Sequence, residues 1–453
     1  MSKIALLFLL VFAGGIIAAL FYSGSAAFVL YQLVYFLNPD DRWWSAQIPG
    51  LSYSFIASVL MLVVLGVNYK DLSTKSSWSS QAFFKYLALL VLFFYVAKLW
   101  AIAPALHDKF SFIYLKLAII IFVAYKLIDS EAALKASSWA YLIGCTYVGY
   151  LATSIGRNSG DRLDGLALPD GSDVNGVAAA LVPAGVLLLY YAWMGNKKTR
   201  LICFLFGAFV ANGLVLFNSR GAFLGVVASC GLFLFYMMFS KYRQKGQRGL
   251  AIFIIFVGIS GAVYVTDDLF WQRMSTLENP SEPGSGSHRV LFWVTTFDML
   301  EDHPLGMGVY GYNMLSPLYL TREEREGVEY KTVHSIWFQA LSEVGWHGLI
   351  VFLLMLLSLY RGSKKAKKFV LAERQYQRYF HLLALECALI GYLVTSTFIN
   401  QFRAEVLYWM LLFLAIGVKV YYLSPSSVSD RSTTGGVCGP PKVSVGSRGQ
   451  GSK

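Results

Sequence analysis

The stretch Ser287-His-Arg-Val-Leu-Phe-Trp-Val-Thr-Thr-Phe-Asp-Met-Leu-Glu-Asp-His303-Pro-Leu-Gly306-Met-Gly308-Val-Tyr-Gly311-Tyr312 lies inside the longest polar segment of the chain, Thr266 to Val333. Apolar runs of membrane-spanning length stand on both sides of it. The segment carries five basic and eleven acidic residues, in a chain whose formal charge is +12. A polar insertion of this length within a membrane domain is a functional or disordered loop, and here the sequence contains order. A helix is expected from His288, capped by Ser287, with Trp293, Phe297 and Leu300 on one face and Pro304 ending it. Gly306, Gly308 and Gly311 then give a tight turn with aromatic neighbours.

Working outward, 453 residues that are 56% hydrophobic and 14% charged read as an all-α polytopic membrane protein. A soluble fold of that balance would need a core larger than its charged surface could cover. Apolar runs predict helices at 4–37 (interrupted by Ser23-Gly24-Ser25), 51–68, 83–103, 110–128, 138–155, 174–194, 200–217, 220–239, 250–265, 335–360, 381–399 and 404–423. That makes about twelve transmembrane helices and one large, partly helical loop. The first run reads as one bent span or a hairpin, and Met1–Tyr22 as a retained span, for want of a small-x-small cleavage site. The expected organisation is 1–265 transmembrane, 266–334 a periplasmic loop with catalytic elements, 335–423 C-terminal transmembrane helices and 424–453 a disordered cytoplasmic tail rich in Gly, Ser and Pro.

Basic loops set the sidedness. Lys70/Lys75, Lys135, Lys197 to Arg200, Lys241 to Arg248 and Lys364 to Arg378 alternate so as to share the cytoplasmic side. The segments 38–50, 104–109, 156–173, 218–219 and the large loop then face the other side, and a cytoplasmic N-terminus with Lys3 favours twelve spans. The excess of Lys and Arg is explained by these loops and implies no nucleic acid. The five cysteines suggest neither a disulfide framework nor a metal site, no carboxylate or histidine spacing suggests a metal, and no cofactor motif occurs.

The candidate site residues all fall on the outer side. His334 heads an apolar run and titrates near neutral pH when unperturbed, at about 6.5; a helix-capping interfacial histidine is the bland alternative. Arg220 opens a span on the side opposite the basic loops, where a snorkelling anchor is not expected. Arg289 opens the loop helix. Lys98, Lys116 and Arg403 lie near outer span ends, where ionisable residues are costly and mark a site or a satisfied partner. Arg157 and Arg162 share their loop with Asp161, Asp164 and Asp173 and so suggest local ion pairs. One demand would gather these bases: an anionic ligand partly in the membrane, with a pyrophosphate matching guanidinium forks.

Three elements resemble the O-antigen ligase family and its superfamily of O-antigen polymerases and protein O-oligosaccharyltransferases. They are Asn218-Ser-Arg-Gly-Ala-Phe-Leu224, then Ser287-His-Arg289 with Trp293 and His303-Pro-Leu-Gly306-Met-Gly308, then His334-Ser335 with Glu343-Val-Gly345 and Gly348. Ser335 stands where many relatives have Asn. The resemblance covers 218–348 and implies a GT-C-like architecture. It implies a donor glycan on undecaprenyl pyrophosphate, a lipid A-core acceptor, and a periplasmic site in a Gram-negative inner membrane. His334, Arg220 and Arg289 would be catalytic, without metal or cofactor and with inversion, and Lys98, Lys116, Arg157, Arg162, Arg403 and His303 would bind substrate. Polymerase and protein O-oligosaccharyltransferase activities share these elements. A lipid-linked glycan transporter is the reading from another class.

Overall fold

The computed structural model describes residues 1–75, 77–171, 173–275 and 287–424; the expected disordered tail and the loop acids Glu278 and Glu282 lie outside them, apart from Ser424. Along the chain run α1 (Lys3–Phe21), α2 (Ser25–Leu37), α3 (Tyr53–Val67), α4 (Tyr69–Lys75), α5 (Ala82–Ala97), α6 (Pro104–Leu127), α7 (Glu131–Ile155), α8 (Val174–Met194) and α9 (Lys197–Phe217). Then follow α10 (Arg220–Phe239), α11 (Gln247–Val265), α12 (Asp268–Ser275), α13 (Ser287–Asp302), α14 (Gly311–Tyr319), α15 (Ile336–Ala372), α16 (Tyr376–Ser396) and α17 (Glu405–Val418). Among the described residues there is no strand, only two isolated bridges in the loop 156–173. Among the described residues ten helices are long and apolar enough to cross a membrane, or up to eleven with the bent pair that α3 begins. The protein is an all-α polytopic membrane protein. α7 is not in that count although it packs against α2, α8 and α9.

Two ends of the bundle are distinguished by the contacts that close them. At one end the basic segments meet. Arg378 and Lys135 both pair with Glu131, Lys75 pairs with Asp129, and Trp193 donates to the carbonyl of Gln247. At the opposite end the acidic and polar loops meet: Asn38 reaches the carbonyl of Ala167, Asn218 that of Asp161, and Ile102 that of Met307. The alternation of basic and non-basic loops read from the sequence is therefore the geometry of the fold. We call the two ends the basic face and the loop face.

The first apolar run is a hairpin. Its break falls at Tyr22 to Gly24, and α1 and α2 pack on each other, Gly15 lying against Leu30. The backbone N–H of Ser2 donates to Gln47 at 2.5 Å, and Phe8 packs on Trp44 and Tyr53. This puts the start of α1 on the loop face and corrects the expectation that it shares the side of the basic loops. Lys3 is a single charge on a strongly apolar helix and does not outweigh the packing of Phe8 and Phe12, which are buried. The basic cluster Lys364 to Arg378 is also not a plain loop, since α15 continues through Ala372.

Spans approach closely where side chains are small, as apolar surroundings demand. A Cβ at Gly225 of α10 would fall 2.6 Å from the carbonyl of Gly391 on α16, and one at Gly391 would fall 2.6 Å from Ser229. This crossing seats the N-terminus of α10, and with it Arg220, beside the turn that joins α16 to α17.

The sequence suggested a single span from Ser335. Instead α15 is broken at Gly345, whose φ of 73° lies in the left-handed region. Along a straight helix Trp337 and Phe352 would stand about 22 Å apart at 1.5 Å per residue. Their ring centroids are 5.8 Å apart, so the arm before Gly345 folds back along the arm after it. The break frees the carbonyls of Ser342 and Glu343 from helix partners, and the glycine turn of the loop takes them. Met307 N–H donates to Ser342 at 2.7 Å and Gly308 N–H to Glu343 at 3.1 Å. The expected glycine turn is thus a clasp that fastens the loop to the break. His107, fully buried, closes it from α6: its Nδ1 accepts from Val309 N–H at 2.9 Å, which leaves Nε2 to donate to the carbonyl of Phe94 at 2.7 Å.

Candidate active site

Three chain segments bring the central residues together on the loop face. The first is the α9–α10 junction. Asn218 is held left-handed (φ 49°), a conformation its short polar side chain tolerates, and its Nδ2 donates to the carbonyl of Asp161 at 3.0 Å. Ser219 then caps α10 through Ala222 N–H, which leaves Arg220 in the first turn, at the positive end of the helix dipole. The buried Oδ1 of Asn218 has no hydrogen-bond partner among the described residues.

The second segment is α13, present as expected from Ser287 to Asp302. Trp293 and Phe297 share a face as expected, both against Phe338, and Leu300 belongs to the same apolar cluster as Trp293 and Phe338. Phe292, Met299 and Leu300 form the buried face, while Val290, Val294 and Phe297 are exposed. Trp293 stacks on Phe338 at 5.4 Å with an interplanar angle of 5°. Arg289 places its guanidinium 5.9 Å from the ring of Phe398, which also lies against Trp293. Burial first, and then the charge of Arg220 beside it, lower the Arg289 guanidinium from its usual value, with Glu326 and Asp173 acting in the opposite sense. No carboxylate lies within ion-pair distance of Arg289 among the described residues.

The third segment ends in His334, itself left-handed at φ 51°. Thr332 Oγ1 lies 2.9 Å from His334 Nε2, and the ring of Phe292 is 6.2 Å away. The next residue, Ser335, donates its N–H to Asn400 Oδ1 at 3.1 Å, which ties His334 to the α16–α17 turn. Burial, reinforced by the charges of Arg289 and Lys331, pushes the imidazole from 6.5 down to about 4. Burial is the larger cause and the neighbouring cations the smaller. His334 is consequently neutral near pH 7 and able to accept a proton, with Asp173 and Glu326 partly offsetting the two cations.

Beyond Thr332 opens a cavity of about 710 Å³ between α2, α3, α6 and α17, within the range of small-molecule sites. Thr332 and Asn400 are on its wall, as are the rings of Phe110 and Tyr310. Phe55, Leu62, Ile113 and Ile119 at its edge are exposed to the lipid side of the bundle. His334 itself does not line this cavity; it is joined to the wall through Thr332, while Arg289 and Lys331 lie within electrostatic reach of its ring.

The remaining sequence candidates separate. Lys116 lines the cavity, within electrostatic reach of Glu405, which accepts from Tyr31 at 2.7 Å. Arg403 also faces the cavity, but its fork is taken by Glu343 in two contacts of 3.0 and 3.1 Å, over the ring of Phe110. Lys98 is largely exposed and pairs with Asp108 at 2.7 Å. Arg157 pairs with Asp267 of the large loop rather than with an acid of its own segment. Arg162 is lowered by burial and by Arg273, while Asp161, Asp173 and Asp164, the acids of its own loop, act in the opposite sense. His303 contributes its backbone, closing α13 through Met299 and accepting from Gly306 N–H, and stands apart from the three central residues. The sequence reading missed Thr332, Phe398 and Asn400, and took Asp173 only as a local partner of Arg157 and Arg162 rather than as a neighbour of Arg289 and His334. Only Asn400 carried a signal, as an amide in the short polar turn between two apolar runs.

Fold and geometry together define a multi-pass α-helical membrane protein that brings Arg220, Arg289 and His334 near one another at the end opposite its basic loops. Within that class, residues 204–353 match the family model described as O-Antigen ligase. The match runs from within α9 to just past the break in α15 and contains all three elements on which the resemblance rests. No curated protein matches the chain. The match supports O-antigen ligase or polymerase-type function in general, and with it a glycosyltransferase-like enzyme acting on lipid-linked glycans.

Proposed function

We propose that the protein is an O-antigen ligase, transferring a glycan from an undecaprenyl-pyrophosphate donor to a sugar hydroxyl of lipid A-core at the periplasmic face of a Gram-negative inner membrane. The observation that carries this reading is the convergence of Arg220, Arg289 and a neutral His334 from three distant segments beside a lipid-accessible cavity. The acceptor oxygen attacks the anomeric carbon, its proton passes to His334, and the bond from that carbon to the pyrophosphate oxygen breaks, inverting the centre. The departing pyrophosphate gains negative charge, which Arg220 and Arg289 stabilise from fixed positions in a water-poor site. Transfer is therefore metal-independent in this reading.

The depressed basicity of His334 fits such a cycle. A bound pyrophosphate offsets the positive charges of Arg289 and Lys331 and so raises the affinity of the imidazole for a proton when the donor is in place. In this reading the acceptor sugar enters from the cavity on whose wall Thr332, the hydrogen-bond partner of His334, stands. The test is reconstitution of the purified protein in vesicles with lipid-linked glycan and lipid A-core. Glycan-capped lipid A supports the proposal. A donor that grows longer on its own lipid, with no capped lipid A, replaces it with a polymerase.

A further inference from the structure

The exposed face of α13 is unexplained by the reaction. Val290, Val294 and Phe297 recur at helical spacing and are 56%, 52% and 43% exposed, on a helix otherwise assigned to an aqueous loop. They do not form an isolated patch. Phe297 stacks on Trp346 at 6.0 Å with an interplanar angle of 23°. Trp346 begins a second exposed stripe, Trp346, Ile350, Leu353 and Leu357, along the spanning arm of α15. The apolar surface that α15 presents to lipid thus continues without a break onto α13.

The direction of α13 follows from its pairing with α15. Phe292 meets His334 just before α15, Trp293 and Phe297 both meet Phe338 on the arm before Gly345, and Phe297 alone of these also reaches Trp346 just after the break. Because that first arm folds back, its beginning lies level with Phe352, further into the spanning arm than Trp346. The N-terminal end of α13 is accordingly the deeper one. The charges agree: the exposed acids Asp298, Glu301 and Asp302 all lie in the C-terminal half of α13, beginning next to Phe297. An aromatic pair at the level where charge begins is the pattern of a membrane interface.

We propose that α13 is bedded in the leaflet on the loop face, with Val290, Val294 and Phe297 among lipid acyl chains and Glu301 in water. A face of this kind left in water would be an aggregation liability, whereas in lipid it is satisfied. The arrangement holds Arg289, next to Val290, at or below the phosphate level of the bilayer. A pyrophosphate on a membrane-anchored carrier then reaches the guanidinium without lifting its chain out of the lipid. The insertion rests on the exposed stripes alone and stands whether or not the protein is a ligase.

The experiment places an environment-sensitive fluorescent amino acid at position 294, and separately at position 301, in the full-length protein in phosphatidylethanolamine/phosphatidylglycerol vesicles. Quenching is compared between acyl-chain doxyl lipids and aqueous iodide. The proposal requires blue-shifted emission at 294, quenched by doxyl lipid and protected from iodide, with the opposite pattern at 301. Iodide quenching at 294 equal to that at 301, with no effect of doxyl lipid, overturns it. The conservative Val294→Leu protein, which keeps the apolar face, serves to show that a change at this position is tolerated. Vesicle transfer activity measured beside the fluorescence separates the two readings, because insertion at 294 with no transfer refutes only the proposed function.

Discussion

Substitution of Gly306 by alanine probes the clasp between the loop and the broken helix, and the structure sets its size. Gly306 has φ +88°, and a Cβ there would lie 2.5 Å from the backbone nitrogen of Gly345 and 3.0 Å from the carbonyl carbon of Val344. Both neighbours are backbone, so neither yields as a side chain would. The left-handed conformation costs an L-residue roughly 1–2 kcal/mol. The forced separation adds about 1–3 kcal/mol, as for overpacking in a core. Gly327 is the internal control: its φ is +81°, but nothing lies within 4 Å of an added Cβ, so Gly327→Ala carries the backbone cost alone. Thermal unfolding in detergent, followed with transfer activity, should show Gly306→Ala clearly less stable than Gly327→Ala. Activity should also fall, because the hydrogen bonds from Met307 and Gly308 to α15 position the arm that leads from His334. Equal stability of the two variants, with activity intact, would refute the clasp.

Three further expectations follow from the site. His334, at about 4 when folded against 6.5 when unfolded, binds protons less well in the folded protein, so its contribution is intact above about pH 6.5 and is lost as the pH falls towards 4. At its full extent this is roughly 3 kcal/mol, at about 1.36 kcal/mol per pKa unit, and the acid fall in stability should be shallower in His334→Gln by denaturant titration. Arg220→Lys and Arg289→Lys keep charge but lose the fork, and each should weaken binding of a pyrophosphate-bearing donor about 10- to 100-fold, for the loss of a charged hydrogen bond of roughly 1.5–3 kcal/mol. Arg403→Met strands Glu343, which is 6% exposed, and should destabilise by about 3–5 kcal/mol, much of it recovered in the Arg403→Met/Glu343→Met pair; a single variant of native stability would return Arg403 to the substrate-binding role read from the sequence.

Much of this architecture is written in local sequence. Apolar runs mark the spans, the basic clusters mark one face, and Ser219 and Pro304 stand where helices begin and end. The elements that escaped are those decided by distant partners. Gly345 sits inside an apolar run, and nothing local shows that the chain breaks there; the break is legible only with Gly306 packed against it, 39 residues earlier. Arg403 reads as an open cation until Glu343, 60 residues away, is brought to it. That α13 has a second apolar face, Val290 and Val294, was not read, because periodicity marks a face without saying what covers it. Arg220, Arg289 and His334 were legible as individuals, by their place at segment starts on the loop face. Their convergence depends on the α10–α16 crossing and on the fold-back of α15, which no spacing encodes.

The central claim is that His334 moves the proton while Arg220 and Arg289 hold the pyrophosphate. Donor binding measured beside single-turnover transfer to lipid A-core, for His334→Ala and the native protein, tests it most directly. The account predicts donor affinity close to native and a transfer rate lower by about 10²- to 10⁴-fold, the usual contribution of a general base. Native transfer by His334→Ala, or a loss explained wholly by failure to bind donor, would contradict it.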